Sequence, residues 1–123
     1  MKIRAGFVSN SSSSSFIMVG RSLTRREVAD KAGGAGGSLY WWGWVDYGDN
    51  DMLFRLDKEM LDLIRERDGY VGDGGVYEVY AMGDGDGTVI PKDLPEGAML
   101  YGGEVSNFSL TAQEFKEHVL DED

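Results

Sequence analysis

Carboxylates are the most abundant side chains in this sequence with the capacity for chemistry. Asp84-Gly-Asp86-Gly87 places two acids one residue apart between glycines, and Asp46, Asp49 and Asp51 form a second cluster. Hard oxygen ligands in such loops suit Ca2+ or Mg2+. Neither stretch completes an EF-hand loop, which needs acids at alternate positions, a central glycine and a bidentate glutamate at position twelve. Counted from Asp84, that position is Pro95. Aspartate and glycine also build turns without a ligand, since Asp bonds nearby backbone amides and glycine reaches positive φ. Turn formation is the expected role of these five aspartates, with cation binding as the alternative. Glu78 and Glu104 could join an acid–base pair, but spacing selects no two carboxylates for it.

Other chemistries find less support. His118 is the only histidine and lies among Glu117, Asp121, Glu122 and Asp123, where it reads as a surface residue rather than a triad member. The absence of cysteine removes thiol catalysis, Cys-based zinc sites and disulfides, and favours a cytoplasmic setting. Gly33-Gly-Ala-Gly-Gly37 precedes a β-rich stretch rather than a helix and lacks the Lys-Ser/Thr of a phosphate-binding loop. No cofactor is expected, and enzymatic activity is the minority reading.

Ser11, Ser12, Ser13, Ser14 and Ser15 are consecutive, between the apolar pairs Phe7-Val8 and Phe16-Ile17. Hydroxyls without an assignable base are weak nucleophiles, so the tract argues for no hydrolase. Three readings stay open: a mobile loop with too little apolar surface to order it, a recognition element, and a hydroxyl and amide cradle for an anion or a modification. The expected organisation is a partly mobile Ser-rich segment, 1–15, followed by a single domain, 16–123.

The elements that must position these residues follow from periodicity. Ile3, Ala5 and Phe7 alternate with polar residues as in a short extended segment. Phe16–Val19 reads as a buried strand. Thr24-Arg-Arg-Glu27 is a capping box that opens a brief helix, and the glycine run from Gly33 ends it. Ser38–Val45 (SLYWWGWV) is β-rich, with Leu39, Trp41, Gly43 and Val45 on one face and Tyr40, Trp42 and Trp44 on the other. Both faces want cover. A central strand with layers on both sides is the expectation, and a face offered to a partner by Tyr40, Trp42 and Trp44 is the alternative.

Leu53, Leu56, Met60 and Leu63/Ile64 are spaced by three and four, which predicts a helix from about Asp51 to Asp68, stopped by Gly69. Val76–Met82 alternates as a strand, and Thr88–Ile90 reads as a short second one. Ala98–Tyr101 and Glu104–Ser106 read as one strand with a bulge at Gly102-Gly103. A second capping box, Thr111-Ala-Gln-Glu114, opens a last helix with Phe115, Val119 and Leu120 on its buried side. The expected fold is α+β, a mostly antiparallel sheet of about four or five strands packed with three helices in the order β–α–β–α–β–β–α.

Net charge is −10, from 12 basic and 22 acidic side chains. Residues 1–45 hold six Lys/Arg against two acids, net +4, and residues 46–123 hold six against twenty, net −14, so the two segments attract each other. An acidic surface keeps the chain soluble and suits a basic protein partner. Direct nucleic-acid binding is disfavoured, because the only basic cluster is Arg21, Arg25 and Arg26 at an expected helix start. No apolar run is long enough to cross a membrane.

The first 17 residues, MKIRAGFVSNSSSSSFI, resemble an N-terminal signature, roughly MKIRxGFVSNSSSSSF, of small uncharacterised proteins of tailed bacteriophages and some bacteria. The resemblance covers about a seventh of the chain and no more. It implies a phage or prophage accessory protein whose serine-rich start acts as a tag or processing signal. With the residue-level reading, it points to a non-enzymatic protein that binds a host or phage protein. The alternative is a small metal-dependent or carboxylate enzyme using an Asp/Gly-rich loop.

Overall fold

Both capping boxes form. Thr24 and Glu27 exchange reciprocal hydrogen bonds, the Thr24 amide donating to Glu27 at 3.0 Å and the Glu27 amide to the Thr24 hydroxyl at 3.2 Å. Thr111 and Glu114 repeat the arrangement at 3.1 and 3.2 Å. Each satisfies amides that the first helical turn leaves unpaired. The computed structural model describes residues 13–32, 38–45, 51–83, 90–106 and 109–120. Their elements are β1 (Ser13–Ser22), α1 (Arg25–Ala32), β2 (Leu39–Gly43), β3 (Asp51–Arg55), α2 (Lys58–Glu66), β4 (Gly75–Gly83), β5 (Met99–Ser106) and α3 (Ala112–Phe115). The last helix continues as a π-helical turn, Lys116–Leu120.

The architecture is α+β with five strands and three helices. The sheet is mixed and closes into a barrel in the order β1-β4-β2-β3-β5. Antiparallel pairing joins every neighbouring pair except β3 and β5, whose short parallel contact, Asp51 with Val105 and Met52 with Ser106, links strands that antiparallel turns alone would leave apart.

Four expectations are corrected. The single helix over Asp51–Asp68 is a strand followed by a shorter helix. Met52, Leu53 and Phe54 are all buried, which needs cover on both faces of an extended chain, and Asp57 caps α2 by accepting from the Met60 amide at 2.9 Å. Strand β1 starts at Ser13 rather than Phe16, since Ser13, Ser14 and Ser15 pair with Ser106, Val105 and Glu104. No bulge interrupts β5 at Gly102-Gly103. The register shift lies between Val19 and Gly20, opposite β4, and a Cβ on Gly103 would meet the rings of Phe16 and Trp42 at 3.4 and 3.6 Å. The fourth correction concerns the second face of β2: Tyr40 and Trp42 are covered by the opposing wall of the barrel and not by any described helix.

Strand alternation divides the apolar residues into two cores. Outside the barrel, Leu39, Trp41, Val45, Met52, Phe54 and Val76 pack under the three helices, against residues such as Val28, Ile64 and Phe115. Inside it, Phe16, Met18, Leu53, Met82 and Val105 pack with the partly buried rings of Tyr40, Trp42, Tyr77 and Tyr101. The opposing wall of the barrel therefore covers Tyr40 and Trp42, whereas Trp44, just past the end of β2, is 46% exposed. The Ile3–Phe7 segment, Ser11, Ser12, the glycine run 33–37, Asp46, Asp49, Asp84, Asp86 and most of the Thr88–Ile90 stretch lie outside the described residues.

Candidate functional site

Trp41 builds the site from beneath. It is fully buried, stacks on Phe54 with ring centroids 5.2 Å apart, and donates its indole N–H to the Val71 carbonyl at 3.0 Å. That bond holds the turn leading into β4. The turn can approach because Gly43 and Gly74 have no side chains: a Cβ on Gly43 would lie 2.5 Å from the Gly74 Cα, and one on Gly74 would overlap the Trp41 ring. Gly72, at φ 67°, passes against the Val119 carbonyl of the π turn. The segment carrying Asp73, Gly74 and Gly75 is thus fixed by the helix-backed core.

On the other face of the same strands lies an open cleft of about 440 Å3, lined by Trp42, Gly43, Trp44, Asp51, Asp73, Gly74, Gly75 and Tyr77. It is one mouth of the barrel. Asp51 has the inward parity of Leu53 on β3, and Trp44 continues the alternation of Tyr40 and Trp42 on β2. The rings of Trp42 and Tyr77 lie 5.7 Å apart, those of Tyr77 and Tyr101 5.0 Å, and Phe16 meets Trp42 edge-on at 5.1 Å. The buried indole N–H of Trp42 has no acceptor among the described residues. Burial pushes the Tyr77 phenol above its ordinary value, so it stays protonated and neutral near pH 7. The charge lining the mouth comes from the exposed carboxylates of Asp51 and Asp73, neither of which forms an ion pair with a described residue.

A second polar group lies on the helix side. Arg21 donates to Glu27 at 2.7 Å and approaches Glu78 at 3.8 Å, Lys31 binds Glu78 at 3.0 Å, and the Tyr80 hydroxyl donates to Glu78 at 2.9 Å. These contacts tie α1 to β1 and β4, and those of Arg21 and Lys31 with Glu78 realise the attraction between the basic and acidic parts of the chain. The Thr24 amide and the Arg21 guanidinium hold Glu27 down at about 2. Lys31, aided by Tyr80, holds Glu78 below the usual range against the opposing effect of burial. Acid catalysis near neutrality needs a carboxyl shifted upward, whereas both of these are shifted downward by the contacts that clamp α1 to the sheet.

The sequence-selected residues fare unequally. Trp42, Trp44 and Asp51 converge on the mouth, whereas Tyr40 packs deeper in the barrel. Pairing places Ser14 opposite Val105 and Val105 opposite Asp51, so the end of the serine tract lies two strands from the mouth, about 10 Å across the sheet. Ser15 is exposed there, as is Glu104 opposite it. Among the described residues no cluster of three or more His, Cys, Asp or Glu could hold a metal ion, and the cation reading rests mainly on aspartates outside them. His118 is partly buried on the π turn. Sequence reasoning missed Asp73 and Tyr77. Their only local signals are a turn aspartate before two glycines and one tyrosine in an alternating strand.

No described helix is long and apolar enough to cross a membrane. No family model, curated protein or solved structure matches the chain.

Proposed function

We propose that this protein is a non-enzymatic interaction module, an accessory protein in a phage-related setting that acts in the bacterial cytoplasm by binding a protein partner through the barrel mouth. The observation that carries this reading is Trp44, 46% exposed at the rim of a cleft that also holds Trp42 and Tyr77. A large aromatic ring left half in water forgoes on the order of 1 kcal/mol of burial, which a recognition surface recovers when a partner covers it. Two carboxylates at the same mouth add charge selectivity. The resemblance of the first 17 residues supplies the phage context, and the serine tract is assigned an auxiliary recognition role beside the mouth.

The test is affinity capture from phage-infected bacterial lysate with the wild-type chain and Trp44→Ala, both checked for an unchanged thermal melt. The expected result is a protein recovered by the wild type and lost by the variant. Equal recovery of every protein by both chains would remove the mouth from the interaction. The enzyme alternative is addressed by calorimetric titration with Ca2+, Mg2+ and Mn2+. Stoichiometric binding that is lost in Asp51→Asn would favour it over the interaction reading.

A further inference from the structure

We infer that the barrel mouth takes an arginine side chain from a basic segment of the partner, held between aromatic faces and the carboxylates of Asp51 and Asp73. This rests on the interaction reading above and specifies its ligand. Three observations converge. The cleft is lined by three aromatic residues, Trp42, Trp44 and Tyr77, and a guanidinium stacks on aromatic faces better than any other charged group in proteins. Asp51 and Asp73 line the same cleft, where a planar fork of N–H donors matches carboxylate oxygens. No basic side chain is among the described lining residues, and neither acid forms an ion pair with a described residue.

The ligand is better described as a peptide than as a metal ion. Hard divalent cations want six or more oxygen ligands, and the described lining of the mouth offers two carboxylates beside Trp42, Trp44 and Tyr77. The volume of about 440 Å3 accommodates one long side chain with its adjoining backbone rather than a folded element. The net charge of −10 draws a basic segment toward the protein before contact.

The experiment is a titration of the full chain followed through its three tryptophan indole N–H signals by NMR, each assigned by single substitution. The probes are blocked nine-residue peptides in which glycine alternates with arginine, lysine or glutamate. Arginine peptide is expected to shift the Trp42 and Trp44 signals and to leave Trp41, bonded to Val71, in place. Lysine peptide should bind several-fold more weakly, and glutamate peptide should produce no shift. Asp51→Asn with Asp73→Asn should weaken arginine-peptide binding at least tenfold while the Trp41 signal stays put, reporting an intact fold. Raising NaCl from 50 to 500 mM should weaken binding without abolishing it, because the stacking contribution survives screening.

Equal shifts with the arginine and glutamate peptides, lysine binding as tight as arginine, or a mouth that responds to Ca2+ or Mg2+ in place of the peptide would each overturn the inference. If lysate capture depends on Trp44 but arginine peptide shifts neither mouth signal, the arginine assignment fails and the interaction reading stands. If capture and titration both fail, both readings fall.

Discussion

Trp41 and Trp42 are neighbours on one strand, yet they belong to two parts of the molecule with opposite character. Trp41 lies in the helix-backed core, fully buried, with its indole N–H bonded to Val71 and its ring on Phe54. Trp42 lies inside the barrel, its N–H without a described acceptor, at the edge of a cleft that ends at the half-exposed Trp44. The helix side is closed by apolar side chains and tied by the Arg21, Glu27, Lys31 and Glu78 contacts. The mouth is lined by aromatic residues and by two acids that no described residue pairs with. An aromatic-rich strand thus serves two purposes at once, because a strand presents alternate residues to environments that the rest of the chain constructs differently.

The largest effect is expected where closure is complete. Trp41→Ala should destabilise the fold by about 3–5 kcal/mol, combining the loss of a buried ring with that of the bond holding the Val71 turn. Chemical denaturation measures it, and Trp42→Ala, which removes a partly buried ring, should cost less. If Trp42→Ala proves the more damaging, the barrel interior is the principal core and the contrast inverts. A smaller loss, about 1–3 kcal/mol, is expected for Gly74→Ala, whose new methyl must displace the Trp41 ring. Its diagnostic is a shifted Trp41 indole signal. An unshifted signal with unchanged stability would mean that the turn, and Asp73 with it, is not held from beneath.

Much of this contrast was legible in the sequence where its causes are local. The capping boxes at Thr24 and Thr111, and the two faces of β2, depend on spacings of three and two that a reader can count. The helix expected over Asp51–Asp68 failed at its start because Leu53, Leu56 and Met60 satisfy a helical spacing by coincidence. The opposing sign was the unbroken run Met52-Leu53-Phe54, buried on both sides of β3. Barrel closure was not legible, since the β3–β5 pairing joins Asp51 to a residue 54 positions away and no local pattern encodes it. For the same reason Asp73 and Tyr77 went unselected: the mouth exists only once β2, β3 and β4 have assembled.

Acid should loosen the two sides differently. The folded pKa of Glu27, about 2, lies below its ordinary 4.5, so its contribution is fully present above about pH 4.5 and is lost as pH falls toward 2. Glu78 shifts in the same direction and adds to the trend. Glu27→Gln keeps a side-chain acceptor for the Thr24 amide while removing the charge. Thermal melts should therefore show this variant less stable than wild type at pH 6, with the gap closing by pH 2. A gap that stays constant across that range would show that the charge of Glu27 contributes nothing to holding α1. Because the Arg21 and Glu27 side chains keep 26% and 37% of their surface in water, salt should narrow the gap.

The smallest effect on stability belongs to the residue given the largest role in binding. Trp44 is 46% exposed and lies beyond the last described paired residue of β2, so its removal vacates a site open to water and breaks no described pairing. Trp44→Ala should leave unfolding free energy within about 0.5 kcal/mol of wild type, as for other surface changes away from caps and cores. The same substitution should abolish the response of the Trp42 indole to arginine peptide, since the cation loses one of its aromatic faces. This separation of stability from recognition is the sharpest form of the contrast with Trp41. A loss of 2 kcal/mol or more on replacing Trp44 would place its ring in the core packing and make the mouth a wall of the fold. Retained peptide binding in a stable Trp44→Ala chain would leave Trp42, Tyr77 and the two aspartates to carry recognition without it.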